Sequence, residues 1–198
     1  RIKQKNSRWI QKKYTNDIVI VGDAHEYLLD HYKEFDFIWS SPPCPTHSRT
    51  NYFTQHIRKR PVYIDIGLYQ EIIFLEHFFK GKYVVENVIP FYKPFIRAQK
   101  IGRHLFWSNF NIKKIWQPKN DIGTMIKGHP NRANKIPLKI RNAVNSKLGL
   151  HILQEAIKSI KNNTTIQKEL FWKLNLHFLI QGTRDCTGIT QILTTGCL

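Results

Sequence analysis

Three short apolar runs, each ending at residues able to do chemistry, constrain this chain more than any other feature. Ile18-Val19-Ile20-Val21 stops at Gly22-Asp23, and Phe35-Asp36-Phe37-Ile38-Trp39 stops at Ser40-Ser41-Pro42-Pro43. The third, Tyr83-Val84-Val85, runs straight into Glu86-Asn87-Val88. Runs this short and this rich in β-branched and aromatic residues read as buried strands. Helical spacing fills the gaps between them. Ala24 to Tyr32 reads as a short helix, and Gly67 to Lys80 as a longer one with Leu68, Ile72, Leu75 and Phe79 on one face. Gly81 suits the position just past that helix. This rhythm predicts an α/β fold with a parallel sheet and helices on its faces. Such sheets bind ligands at the carboxyl ends of their strands. Asp23, Cys44 and Glu86 all fall at or just beyond those ends.

Beyond Pro90 the pattern changes. Leu105-Phe106-Trp107 and Phe110-Asn111-Ile112 read as strand material, and residues 113–137 are polar and broken by Gly and Pro. A last helix is predicted from Ser146 to about Ile160, with Gly149, Ile152, Leu153, Ala156, Ile157 and Ile160 facing inward. From Asn162 the composition turns to Thr, Gln and Asn around one apolar patch, Leu170 to Ile180. That tail reads either as a docked helix or as sequence foreign to the fold. No internal repeat is found. The resulting division is a basic segment at 1–16, a main domain at 17–161 and a tail at 162–198.

Charge narrows the partners. The chain has 198 residues, with 31 Lys plus Arg against 14 Asp plus Glu, for a formal net charge of +17. Such an excess attracts polyanions, nucleic acid being the commonest, although charge alone also serves solubility. Residues 1–13 carry six basic and no acidic side chains, which suits an arm on DNA or a solvated segment. The three cysteines, Cys44, Cys186 and Cys197, have no paired metal-type spacing, and an odd number argues against a disulfide framework. No metal site is expected, and a reducing, cytoplasmic compartment is. No apolar run approaches the roughly 20 residues that cross a bilayer, so no membrane partner is expected.

Two residues stand out chemically. Cys44 lies in Ser41-Pro42-Pro43-Cys44-Pro45, a loop stiffened because each proline fixes its own φ and restricts its predecessor. The thiolate is the reactive species, so a nucleophilic role requires surroundings that lower the thiol pKa. A buried structural cysteine is the competing reading. Glu86 follows three apolar strand residues and should sit at the sheet edge near Cys44. There it could give or take a proton, or simply cap the next segment.

Together these stretches resemble a known family. Residues 35–44 resemble the nucleophile motif of the DNA cytosine-5 methyltransferases, and Glu86-Asn87-Val88 resembles that family's Glu-Asn-Val motif. Gly22-Asp23 is similar to the short motif that contacts the adenosine of S-adenosylmethionine. Arg141 to Gly149 resembles the last motif, whose Asn-Ala-Val turn touches the cofactor. The likeness covers roughly residues 17–160. It implies a Rossmann-like methyltransferase sheet with a small target-recognition insertion at about 108–140. It also implies double-stranded DNA as partner, S-adenosylmethionine as cofactor and a monomer of the compact bacterial or phage type. Cys44 would attack C6 of a flipped cytosine while Glu86 engages N3, activating C5 for the methyl group. Asp23, Pro42, Asn142, Ala143 and Val144 would hold the cofactor. Ser48, Arg49, Lys113, Lys114 and Arg132 would meet DNA, the last three from a basic stretch that also holds Lys119, Lys127, His129 and Lys135 around Trp116.

The chain departs from the family pattern in three places. The family's opening Phe-x-Gly-x-Gly strand–loop–helix has no counterpart between Arg1 and Asp17, so the sheet is expected to be N-terminally incomplete. Pro45 stands where Gln is usual. In Lys100 to Phe106, Gly102 and His104 replace two arginines, leaving Arg103 as the candidate for the cytosine O2 contact and His104 as its rival. Two other functions stay open: a catalytically inactive DNA-binding remnant, and a cysteine hydrolase using His47 or His25.

Overall fold

In a computed structural model of the chain, residues 17–54, 57, 61–115, 144–163, 176–181 and 190–195 are described. Each of the three apolar runs forms a strand: β1 is Asp17–Gly22, β2 is Phe37–Ser41 and β3 is Lys82–Val88. Helix α1 (Ala24–His31) follows β1 directly. Asp23 starts it, its carboxylate accepting from the backbone N–H of His25 at 2.8 Å and of Glu26 at 3.2 Å, which satisfies two donors that a helix start leaves open. The short helix α2 (Arg49–Phe53) follows the cysteine loop, and α3 (Gly67–Phe78) leads towards β3. Between them, Gly81 is required sterically. A Cβ there would run into the Asp36 carbonyl and the Phe79 ring.

β4 (Gln99–Ile101) and β5 (His104–Ser108) form a hairpin whose two-residue turn is Gly102-Arg103. Gly102 has φ 59, a conformation that favours glycine and recurs in tight hairpins. Helix α4 spans Ser146–Asn163. Two further strands, β6 (Leu176–Gln181) and β7 (Thr190–Thr195), come from the tail.

The sheet order is β1-β7-β6-β2-β3-β5-β4. β2 pairs in parallel with β3 and with β6, and the other four pairings are antiparallel. The protein is therefore mixed α/β with a mixed sheet, not the all-parallel sheet expected. Because β7 is antiparallel to both β1 and β6, strands β1, β6, β2 and β3 still run the same way. Their carboxyl ends share one edge, the edge expected to carry chemistry.

Three expectations are corrected. The described parts of the tail beyond α4 are strands of the sheet rather than a docked helix or foreign sequence, because β6 and β7 lie between β1 and β2. Their β-branched and aromatic content suits strands, and the sheet thus draws on both sides of the boundary placed at 161. Phe110-Asn111-Ile112 is not a strand. The Gln99 side chain takes the place of a ladder there: its Nε2 donates to Phe110 O at 3.1 Å and its Oε1 accepts from Ile112 N at 3.0 Å. In α4, Leu148 faces inward rather than Gly149, at 1% exposure, with Ile152 and Ala156 fully buried.

Side-chain alternation along β2 and β3 divides the core in two. Ile38, Tyr83 and Val85 pack with Leu105, Trp107 and residues of α1 and α3 on one face. Phe37, Trp39 and Val84 pack with Phe106, Ile112 and α4 on the other. Phe37 and Phe106 are fully buried, and truncating either to alanine would cost about 3–5 kcal/mol.

Candidate active site

The loop after β2 is tied down at several points. Asn87 Nδ2, on β3, donates to the Pro42 carbonyl at 3.0 Å. The backbone N–H groups of His47 and Ser48 both donate to Cys44 O at 3.1 Å, closing a turn. Asp65 N donates to Thr46 Oγ1 at 3.1 Å, and Phe91 N donates to His47 O at 3.2 Å. Ser48 also bridges Pro90. Proline stiffness and these bonds together leave Cys44 half-buried in a fixed position.

Glu86 lies within β3, two residues before its end, rather than beyond the strand. Its register partner on β5 is Phe106, so alternation puts His104 on the same face, diagonally across the pair. His104 Nε2 is 3.6 Å from Glu86 Oε1, with both side chains buried. That separation makes them charge neighbours, not a hydrogen-bonded pair. Burial pushes the Glu86 carboxyl up to about 7, against the opposing pull of a hydrogen bond with Ser41 and of the Arg103 charge. A carboxyl so placed carries a proton through much of the neutral range, as a general acid must.

Cys44 and Glu86 come together at this edge. The Cys44 thiol is pushed up to about 11, first by burial and then by the negative charge of Glu86. This direction is opposite to the one that a nucleophilic role requires. The chain's positive excess does not reach this thiol, whereas the carboxylate does. Protonation of Glu86 removes the repulsive contribution, so the states of the two groups are coupled.

The other sequence-derived candidates are distributed as follows. Asp23 is exposed at the end of β1, and Pro42 is buried. Val144 is partly buried against the α4 face of the core. Asn142, Ala143 and Arg132 lie outside the described residues. Ser48 starts α2, its Oγ accepting from Thr50 N at 3.2 Å, and Arg49 is exposed. Lys113 and Lys114 are exposed, and Lys113 O accepts from His151 Nε2 at 2.7 Å, next to α4 rather than the cysteine loop. Arg103 sits in the β4–β5 turn, its charge felt at Glu86.

For the hydrolase alternative, both histidines have other partners. His47 Nδ1 meets the Tyr92 hydroxyl at 2.6 Å, and the Tyr92 oxygen accepts from Tyr69 OH at 3.2 Å. His25 Nδ1 lies 3.1 Å from Glu71 Oε2.

Sequence reasoning missed Ser41 and gave Asn87 no structural task. Ser41 shares a face with Trp39, whose Nε1 donates to Ser41 Oγ at 3.1 Å. Strand alternation would have placed it beside Glu86. The Asn87 bond joins residues 45 positions apart, and no local pattern signals it.

No helix among the described residues is long and apolar enough to cross a membrane. No protein-family model matches the chain, and neither a curated protein nor a solved structure matches it.

Proposed function

We propose that this protein is a DNA cytosine-5 methyltransferase with a Rossmann-like sheet, using Cys44 as nucleophile and Glu86 as acid. The observation that carries the reading is geometric: Asn87 ties the loop bearing Cys44 to β3 through the Pro42 carbonyl, and the buried Glu86 is its neighbour in that strand. Cys44 Sγ adds to C6 of a cytosine turned out of the duplex, forming a carbon–sulfur bond. Glu86 gives its proton to N3, which neutralises the charge developing on the ring and makes C5 electron-rich. After C5 has taken the methyl group, its proton passes to water and the electrons of the C5–H bond reform the C5–C6 double bond. The carbon–sulfur bond breaks to release the Cys44 thiolate, and N3 returns its proton to Glu86. His104 lies 3.6 Å from the carboxyl and Arg103 acts on it through its charge, and either would contact the pyrimidine carbonyl.

S-adenosylmethionine supplies the electrophilic methyl group when bound. Asp23, Pro42 and Val144, with Asn142 and Ala143, are the residues that would hold it. Asp23 fits such a ligand. Its carboxylate is exposed, and with two backbone donors already bound it keeps roughly half its acceptor positions for an amine.

The deciding experiment is covalent trapping. The full chain is incubated with S-adenosylmethionine and duplex DNA containing 5-fluorocytosine, where fluorine replaces the proton that must leave C5. A denaturant-resistant adduct that maps to Cys44 and disappears in Cys44→Ala is expected. Absence of the adduct overturns the catalytic reading. One observation favours a second reading, a DNA-binding protein without catalysis: the thiol pKa is raised, opposite to what activation needs. Steeply salt-dependent DNA binding with no adduct would select it.

A further inference from the structure

Beside the cysteine loop, an apolar hollow of about 430 Å³ opens at the surface, lined by Asn51, Tyr52, Val62, Tyr63, Ile66 and Phe91. Its rings are not core rings. Tyr63 is 97% exposed and Tyr52 51%, and Tyr52 stacks on Phe91 with centroids 5.5 Å apart and planes 20° from parallel. Exposed aromatic surface on this scale marks a binding face. A cation lies close by: the exposed Arg49 opens α2, the helix that carries Asn51 and Tyr52, in a chain of net charge +17.

We infer that this hollow is a stacking site for unpaired nucleobases of a DNA strand. Flat rings that are already stacked extend readily to one more flat ring, and the Arg49 charge suits a phosphate beside it. Asn51 brings an amide able to meet a base edge. Position supports the same occupant. Phe91 N donates to His47 O, and Ser48 bridges Pro90, so the hollow's wall is continuous with the loop carrying Cys44. A strand opened to free one base exposes its neighbours here. The inference rests on the DNA reading above and goes beyond it by naming unpaired bases as a second ligand class, bound apart from Cys44 and Glu86.

The test separates bases from phosphates. Fluorescence anisotropy compares a labelled thymidine oligonucleotide of about a dozen residues with an abasic oligomer of equal length and charge, at one salt concentration. The full chain is expected to bind the thymidine strand about tenfold more tightly. Tyr63→Ala and Tyr52→Ala should shrink that preference, and Tyr63→Trp should keep it. Tyr63 is so exposed that its replacement leaves the fold intact, which thermal unfolding verifies. Equal affinity for both strands, or no binding of either, overturns the inference. So does a concentration-dependent dimer that Tyr63→Ala dissolves while strand binding stays unchanged, because a second copy would then fill the hollow. Trapping on 5-fluorocytosine reads the other proposal independently. An adduct without base preference sinks only the stacking site, and base preference without an adduct sinks only the methyltransferase reading.

Discussion

Asn87 Nδ2 donates a 3.0 Å hydrogen bond to the Pro42 carbonyl, fastening the interior strand β3 to the loop that presents Cys44. Asn87 is 2% exposed, and its Oδ1 also accepts from Val88 N at 2.9 Å. Removing the amide leaves a buried carbonyl without this donor. Asn87→Ala should therefore destabilise the fold by about 1–3 kcal/mol. Urea unfolding checks it, and an unchanged midpoint would mean that the loop is held by its prolines alone.

How far the sequence carries depends on the range of the interactions involved. The strands at Ile18–Val21, Phe37–Trp39 and Tyr83–Val85 and the helix at Gly67–Phe78 were legible, because apolar periodicity reports burial within a few residues. The tail was not. Leu176–Gln181 lies between Thr190–Thr195 and Phe37–Ser41, and the second pairing reaches across more than half the chain. The meeting of Cys44 with Glu86 was legible as a convergence of strand ends, but its electrostatic sign was not. Net charge counts surface lysines, whereas the thiol responds to burial and to one nearby carboxylate.

Glu86 should make stability depend on pH. Its folded value near 7 lies above the ordinary 4.5, so the fold holds this proton more tightly than the unfolded chain does. The contribution is fully present below pH 4.5 and is lost as pH rises through about 7. Glu86→Gln removes that dependence. It should stabilise the protein near pH 8 by up to about 3 kcal/mol and converge with the parent in acid. Denaturant midpoints across this range decide the matter, and parallel curves would show that the carboxyl is solvated.

His25 is expected to titrate above its ordinary 6.5, because its 3.1 Å contact with the Glu71 carboxylate outweighs the opposing effect of burial. The charges of Glu71, Asp23 and Asp65 add to the rise. The pair then stabilises the fold fully below pH 6.5, and its contribution disappears as pH climbs through the raised value. Ring-proton resonances followed by NMR give the titration directly. In Glu71→Gln the value should move back towards 6.5, and no movement would mean that the 3.1 Å contact carries no charge.

The coupling of Cys44 to Glu86 can be read without substrate or cofactor, through thiol alkylation. Only the thiolate reacts with iodoacetamide, and a thiol held at about 11 is almost entirely protonated near pH 8. Two causes keep it there: burial, which a substitution at residue 86 leaves in place, and the carboxylate charge, which Glu86→Gln removes. The variant's Cys44 should be alkylated several-fold faster near pH 8, followed peptide by peptide so that Cys186 and Cys197 do not obscure it. Below about pH 6 the Glu86 carboxyl of the parent is itself mostly neutral, and the two rates should merge. Burial alone predicts equal rates at both pH values. A rate difference that persists in acid would instead report a loosened loop, leaving the thiol and the carboxyl electrostatically independent.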